Sequence, residues 1–296
     1  MNSKRIVNVA SVPQRSPFRY PGGKTWLVPF IRTWLRSLSQ KPAVFVEPFA
    51  GGGIVSLTVA FENLAERLVM VELDQDISAV WHTILGSDAK WLGQRIMDFD
   101  LTVESAKAAL ADDSNVIRDR AFRTILKNRV YHGGIMAAGS SMIRHGENGK
   151  GIKSRWYPST LRRRIEDIIG VQHRIEFIEG DGLPILERFA GQESVCAFID
   201  PPYTAAGKKA GSRLYKHNEL DHERLFQLTA SLNGNFLMTY DNADGVKDLA
   251  LRHGFDTEVI AMKNTHHAKM TELLIGRDLS WVRRSASTTT QQLLFD

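Results

Sequence analysis

Short apolar runs alternate with stretches of helical spacing toward both ends of this chain. Ala43-Val44-Phe45-Val46, Leu68-Val69-Met70-Val71, Ile175-Glu176-Phe177-Ile178, Val195-Cys196-Ala197-Phe198-Ile199, Asn235–Tyr240 and Glu272-Leu273-Leu274-Ile275 are short and apolar, and read as strands. Trp26, Leu27, Phe30, Ile31, Trp34 and Leu35 recur at helical spacing after a turn at Pro21-Gly22-Gly23, and Ile54, Leu57, Thr58 and Phe61 do so after Gly51-Gly52-Gly53. A further helix is predicted from Ala243 to His253. The order strand, glycine loop, helix, strand, acid over residues 43–74 is that of one βαβ unit.

Between about Gly86 and Gly170 the rhythm changes. A helical stretch, Arg118–Tyr131, precedes a loop rich in Gly, Ser and basic residues from His132 to Ser154. The organisation expected is a polar arm over 1–15, a catalytic domain over 16–85 and 171–281, an inserted region over 86–170, and a Ser/Thr/Gln tail over 282–296. The net charge is +5, and its distribution says more than its size. Thirteen lysines and arginines stand against four acids between Arg118 and Arg174, which favours a surface facing nucleic acid. Lys127, Arg129, Lys150, Lys153, Arg155 and Trp156 are the candidate DNA contacts; Trp156 and Tyr157 equally suit packing of the insertion against the catalytic body.

No apolar run approaches membrane-spanning length, and the single cysteine allows no internal disulfide, so a cytoplasmic setting is expected. Cys196 lies inside a predicted strand and reads as a packing thiol. His266-His267 and the other histidines have no metal-ligand spacing, so no metal is expected.

Asp200-Pro201-Pro202-Tyr203, at the end of the run Val195–Ile199, combines a carboxylate, a backbone stiffened by two prolines and an aromatic face. An exocyclic amino group is a poor nucleophile because its lone pair is delocalised into the base. Hydrogen bonds to Asp200 and a main-chain carbonyl would return density to nitrogen, while Tyr203 could stack on the base. The plainer reading is a strand-ending turn. The loop Glu47-Pro48-Phe49-Ala50-Gly51-Gly52-Gly53 lacks the glycine spacing of a pyrophosphate fingerprint, and its leading acid would repel a diphosphate while suiting a cation. Glu72 is positioned to receive ribose hydroxyls and Asp181 an adenine amino group, although acids at strand ends also serve as helix caps.

Phe18–Lys24, Glu47–Gly53, Glu72 and Asp200–Tyr203, in that order with a basic insertion before the last, resemble the Dam-type (class alpha) adenine-specific DNA methyltransferases. The resemblance spans roughly residues 16–280 by motif and order. It implies a Rossmann-like α/β fold, a mostly parallel mixed sheet with helices on both faces and an inserted target-recognition region, using S-adenosylmethionine. It assigns the cofactor to Tyr20, Gly23, Lys24, Glu47, Pro48, Phe49, Gly51, Gly53, Glu72, Asp181 and Asp200, and the transfer to Asp200, Pro201, Pro202 and Tyr203. Tyr240-Asp241-Asn242 and Thr271–Ile275 are similar to its later structural motifs. Many relatives carry Asp where Glu47 stands, and the insertion, with Asn128-Arg129 and Lys153–Pro158, follows the best-known members only loosely.

The implied activity is methylation of the adenine amino group in double-stranded DNA, by base flipping and direct in-line transfer, in the nucleoid of a bacterium or phage host by a monomer or weak dimer. The same tetrad can act on the cytosine amino group or on RNA, and a catalytically silent DNA-binding module would keep the same basic surface. A nicotinamide dehydrogenase conflicts with the acidic glycine loop, and cytosine C5 chemistry with the position of Cys196. Gln291-Gln292-Leu293-Leu294-Phe295 resembles the short peptide by which bacterial replication proteins dock on the sliding clamp; folding back on its own domain is the alternative.

Overall fold

The computed structural model describes residues 9–19, 23–136, 140–146, 149–202, 220–263 and 269–284. Its centre is a seven-stranded sheet in the order β3-β2-β1-β4-β5-β7-β6, formed by β1 (Val44–Glu47), β2 (Arg67–Glu72), β3 (Ile175–Glu179), β4 (Val195–Ile199), β5 (Asn235–Asp241), β6 (Asp256–Lys263) and β7 (Lys269–Gly276). The first five run parallel, while β7 is antiparallel to both β5 and β6. β1 and β4 are adjacent and buried along their whole length, so both read as near-continuous apolar runs rather than alternating ones.

Alternation along the strands shares the side chains between two faces. Phe45, Leu68, Phe198, Leu237 and Leu274 meet α1 (Val28–Ser37) and α2 (Ile54–Phe61) through Leu27, Ile31, Trp34, Val55 and Val59. On the opposite face Ala197, Ile199, Phe236, Met238 and Tyr240 meet α8 (Gly182–Arg188), α9 (His222–Ala230) and α10 (Asp244–Arg252). The polar caps are local: Asp74 accepts the Asp76 N–H at 2.8 Å to start α3 (Gln75–Leu85), and Asp221 accepts the Arg224 N–H at 2.9 Å to start α9.

The segment 86–170 carries α4 (Ala89–Asp98), α5 (Val103–Ala111), α6 (Ile117–Val130) and α7 (Pro158–Ile169). These helices gather on α3, where Trp81, Ile84, Leu92, Ile96, Phe122, Ile125, Leu161 and Ile165 form one apolar cluster. It meets the sheet through Met70 of β2 and Ile175 and Phe177 of β3, and α2 through Leu57.

Two expected boundaries shift. The last residues of the arm are anchored: Val12 is buried, and the Arg15 guanidinium meets Glu62 Oε1 at 3.1 Å. At the other end Val282 is buried rather than part of a tail. Strand β6 was not expected from sequence. It is an edge strand whose first half, Asp256-Thr257-Glu258, is polar, which hides the apolar stretch that follows it.

Candidate active site

Strand order reverses between β1 and β4, because β1 is followed on one side by β2 and β3 and on the other by β4 and β5. Loops leaving two such neighbours part in opposite directions and open a crevice at their carboxyl ends. The two sequence-assigned motifs leave the sheet there, Glu47–Gly53 from β1 and Asp200–Pro202 from β4.

The β1 loop is built from backbone. Gly53 has φ +62°, and a Cβ there would stand 2.7 Å from Trp81 Cζ2 and 2.8 Å from Met70 Cε, so only glycine fits. The Trp81 indole N–H donates to the Gly51 carbonyl at 2.9 Å and fixes the turn from behind. Glu72 at the end of β2 accepts the Gly51 N–H and the Asp74 N–H, both at 2.8 Å. Glu47 is buried, and its Oε2 accepts the Ser56 N–H at 2.9 Å as well as the Ser56 hydroxyl. It therefore acts on the first turn of α2, where a carboxylate complements the helix dipole. Burial pushes the Glu47 carboxyl up to about 8, against the Ser56 hydrogen bonds and with help from the charges of Asp200 and Glu72. Burial likewise raises Glu72 to about 7, opposed by the backbone donors of Asp74 and Gly51.

Pro48 is buried and Phe49 half-buried beside this turn. Gly182 lies directly against the Pro48 carbonyl, which brings Asp181 to the same rim. Asp181 is exposed and also caps α8 through the Leu183 N–H at 3.0 Å.

The β4 tip is built from side chains that are far apart in sequence. Asp200 Oδ1 lies 3.0 Å from Lys24 Nζ and accepts the Thr239 hydroxyl of β5 at 2.7 Å. Lys24 is 3% exposed, and its amine also meets Glu272 Oε1 of β7 at 3.5 Å. Glu272 is itself buried, and its Oε2 has no hydrogen-bond partner. Burial raises its carboxyl to about 7, an effect opposed by Lys24 and reinforced by Asp200 and Asp241.

Glu272 and Thr239 were not singled out from sequence as site residues. The signal for Glu272 was available: an acid heading the apolar run Leu273-Leu274-Ile275 of an inner strand requires a cationic partner. Pro201 is buried and Pro202 half-buried at the mouth. Gly23 is exposed just before Lys24. Tyr20 and Tyr203 lie outside the described residues, as does Gln291–Phe295. Cys196 is buried within β4, and burial pushes its thiol up to about 12, which leaves it neutral and unreactive.

Of the candidate DNA contacts, Lys150 and Lys153 are exposed and Arg155 is half-exposed. Lys153 lies 3.8 Å from Asp100 in an open pair. Two candidates are corrected. Arg129 is 4% exposed and donates to the Pro17 carbonyl, so it braces the chain inside the protein; burial and the neighbouring Arg164 and Arg19 charges lower its pKa to about 9. Trp156 is buried against Phe99, with ring centroids 6.0 Å apart. Both belong to apolar or backbone surroundings that helical spacing alone does not distinguish from a basic face. Lys127 is half-buried and donates to the Met136 carbonyl at 2.8 Å. Among the described residues no cluster of His, Cys, Asp and Glu is arranged to hold a metal ion, and no helix is long and apolar enough to cross a membrane.

The parallel core of five strands, with an antiparallel β7 inserted beside β5 and a glycine turn at the β1 tip, is the Rossmann-like fold on which S-adenosylmethionine-dependent methyltransferases are built. More narrowly, residues 20–84 match the family model of the D12 class N6 adenine-specific DNA methyltransferases, which upholds the resemblance drawn from the motifs. No curated protein sequence matches the chain.

Among solved structures, the chain is similar to the rRNA methyltransferase AviRa from Streptomyces viridochromogenes (12% identity, 93% of this chain and 95% of that one, TM-score 0.40). It is also similar to a precorrin-6y C5,15-methyltransferase from Geobacter metallireducens (10%, 85% and 86%, TM-score 0.36). A third is spermidine synthase from Thermotoga maritima (11%, 86% and 59%, TM-score 0.39). At such scores the strand order, rather than these neighbours, carries the fold assignment.

Proposed function

We propose that this protein methylates the exocyclic amino group of adenine at a specific site in duplex DNA. The observation that carries the reading is the arrangement at the β4 tip. A carboxylate, Asp200, is fixed by a buried lysine and a threonine hydroxyl in the crevice beside a glycine turn.

The glycine turn fits the proposed cofactor. Its glycines allow close approach of a ligand to the backbone, and Glu72 and Asp181 stand at its rim with carboxyl groups suited to a hydroxyl- and amino-bearing ligand, while the buried Glu47 braces the turn through Ser56. When bound, S-adenosylmethionine supplies an electrophilic methyl group. The chain's own residues do the rest. Asp200 accepts a hydrogen bond from the amino group and turns the nitrogen lone pair toward the methyl. Lys24 and Thr239 stop the carboxylate from rotating away. The buried Pro201 keeps the following backbone rigid without needing a donor partner.

With the methyl donor bound, transfer would leave an extra proton on the amino nitrogen, and Asp200, which accepts that group's hydrogen bond, would be placed to take it. Positioning of this kind can supply roughly 7–11 kcal/mol of the barrier reduction. An adenine inside a duplex must leave the stack, at a cost of a few kcal/mol. Exposed lysines such as Lys150 and Lys153 would offset that cost through phosphate contacts, in a salt-dependent manner.

The test is to incubate the protein with a labelled methyl donor and a random duplex and then identify the modified base. N6-methyladenine at a recurring sequence is expected. Label only on cytosine N4, only on RNA, or on no nucleic acid refutes the assignment.

A further inference from the structure

Asn128 on α6 is fully buried, and a buried primary amide needs partners for its donors and its acceptor. Its Oδ1 accepts the Arg19 N–H at 2.9 Å, and its Nδ2 donates to the Arg19 carbonyl at 2.9 Å and to the Gly134 carbonyl at 3.0 Å. The side chain thus pairs with both backbone groups of Arg19, as a neighbouring strand would. Arg129 donates to the Pro17 carbonyl, and Arg164 of α7 donates to the Ser16 carbonyl at 2.8 Å. Contact is close: Gly134 has φ +73°, and a Cβ there would lie 2.4 Å from the Arg19 oxygen.

Ser16–Arg19 is therefore held by the insertion at three residues, although it belongs to the catalytic body. On its other side it reaches the crevice. The Ser16 hydroxyl donates to the Gly52 carbonyl of the β1 loop at 2.5 Å, and five residues beyond Arg19 stands Lys24, which meets Asp200. The segment bearing exposed Lys150 and Lys153 also rests on α6, because Ile152 and Trp156 join the same apolar cluster as Phe122 and Ile125.

We propose that Asn128 is a positioning residue that couples the duplex-binding surface of the insertion to the cofactor crevice, so that duplex and cofactor each tighten the other's binding. The identity of the two ligands rests on the function proposed above. The physical reason is a shared support: the insertion's bonds to Ser16–Arg19 and the Ser16 bond to the Gly52 carbonyl tie the two surfaces to one strip, so a ligand that steadies either end would steady it for the other. Linkage makes the effect reciprocal.

The measurement is the affinity of S-adenosylhomocysteine, the demethylated cofactor, with and without a duplex oligonucleotide. In the wild type the duplex should tighten it about tenfold. Asn128→Ala should weaken cofactor binding in the absence of duplex and bring the ratio close to one. The KM for the methyl donor should rise, while kcat at saturation changes about twofold or less. Asn128→Asp keeps the acceptor for the Arg19 N–H but sets a carboxylate oxygen against two carbonyls, and should behave alike. Should neither fold, Arg164→Ala removes one tie from a half-buried position and should still lower the ratio. A wild-type ratio of one, or a variant that keeps the wild-type ratio, overturns the coupling. Coupled binding without methyl transfer to adenine sinks the proposed function instead.

Discussion

The two loops that line the crevice are held in different ways. The β1 loop is closed mostly within one stretch of chain: Gly51, Gly53, Ser56, Glu72, Asp74 and Trp81 are its main partners, with Ser16 joining from outside, and its carboxylates accept mostly backbone N–H groups. The β4 tip is assembled from Lys24, Asp200, Thr239 and Glu272, four separate parts of the sequence joined through side chains. The first arrangement gives a backbone turn fixed by local hydrogen bonds and by glycine packing on Trp81 and Met70, suited to a constant ligand. The second gives a charged acceptor whose setting depends on the whole sheet being formed, which suits the group that carries out the chemistry.

Substitution separates the two. Asp200→Ala removes the acceptor but leaves the glycine turn untouched. Methyl transfer should fall by about 10³-fold, while S-adenosylhomocysteine affinity by calorimetry stays within about threefold; loss of both together would mean that the two loops act as one. Gly53→Ala makes the opposite cut. The left-handed φ and the 2.7 Å approach to Trp81 force strain into the β1 loop, so urea denaturation should show a loss of about 2–3 kcal/mol. Any cofactor binding that survives should be weakened at unchanged Asp200 chemistry.

A smaller effect concerns pH. Glu47, Glu72 and Glu272 titrate near 8, 7 and 7 in the folded protein, above the ordinary carboxyl value of about 4.3. Their protonated forms are favoured by folding. The stability they contribute is fully present below about pH 4.5 and is lost as pH rises through 7–8. Glu272→Gln cannot ionise, so its stability curve between pH 5 and pH 8.5 should be flatter than the wild type's by about 1 kcal/mol. Parallel curves would show that Glu272 carries its charge throughout that range, balanced by Lys24.

How much was legible follows the same division. The six apolar runs were readable because each is a short local pattern, and the glycine turn and Glu72 because they lie within one βαβ unit. Asp200 was readable because two prolines mark it. Arg129 was misread as a DNA contact, and for Trp156 the packing alternative holds, since burial depends on what packs against a helix and a basic stretch looks the same on either face. Strand β6 was missed because its first half, Asp256-Thr257-Glu258, is polar, as suits a sheet edge, although Ile260 in its second half is buried. Asn128 stood out in sequence only as half of an Asn-Arg pair; the partner that gives it its place, Arg19, lies 109 residues away.

By itself, then, the sequence determined the strands, the Cβ-free turn and the chemistry available at each strand end, because propensity, alternation and turn geometry act over a few residues. Tertiary structure alone decided that Lys24 and Thr239 converge on Asp200, that Glu272 is left with an unpaired oxygen, and that the insertion grips Ser16–Arg19. Those outcomes depend on strand order and on desolvation, and neither is a property of any short stretch of chain.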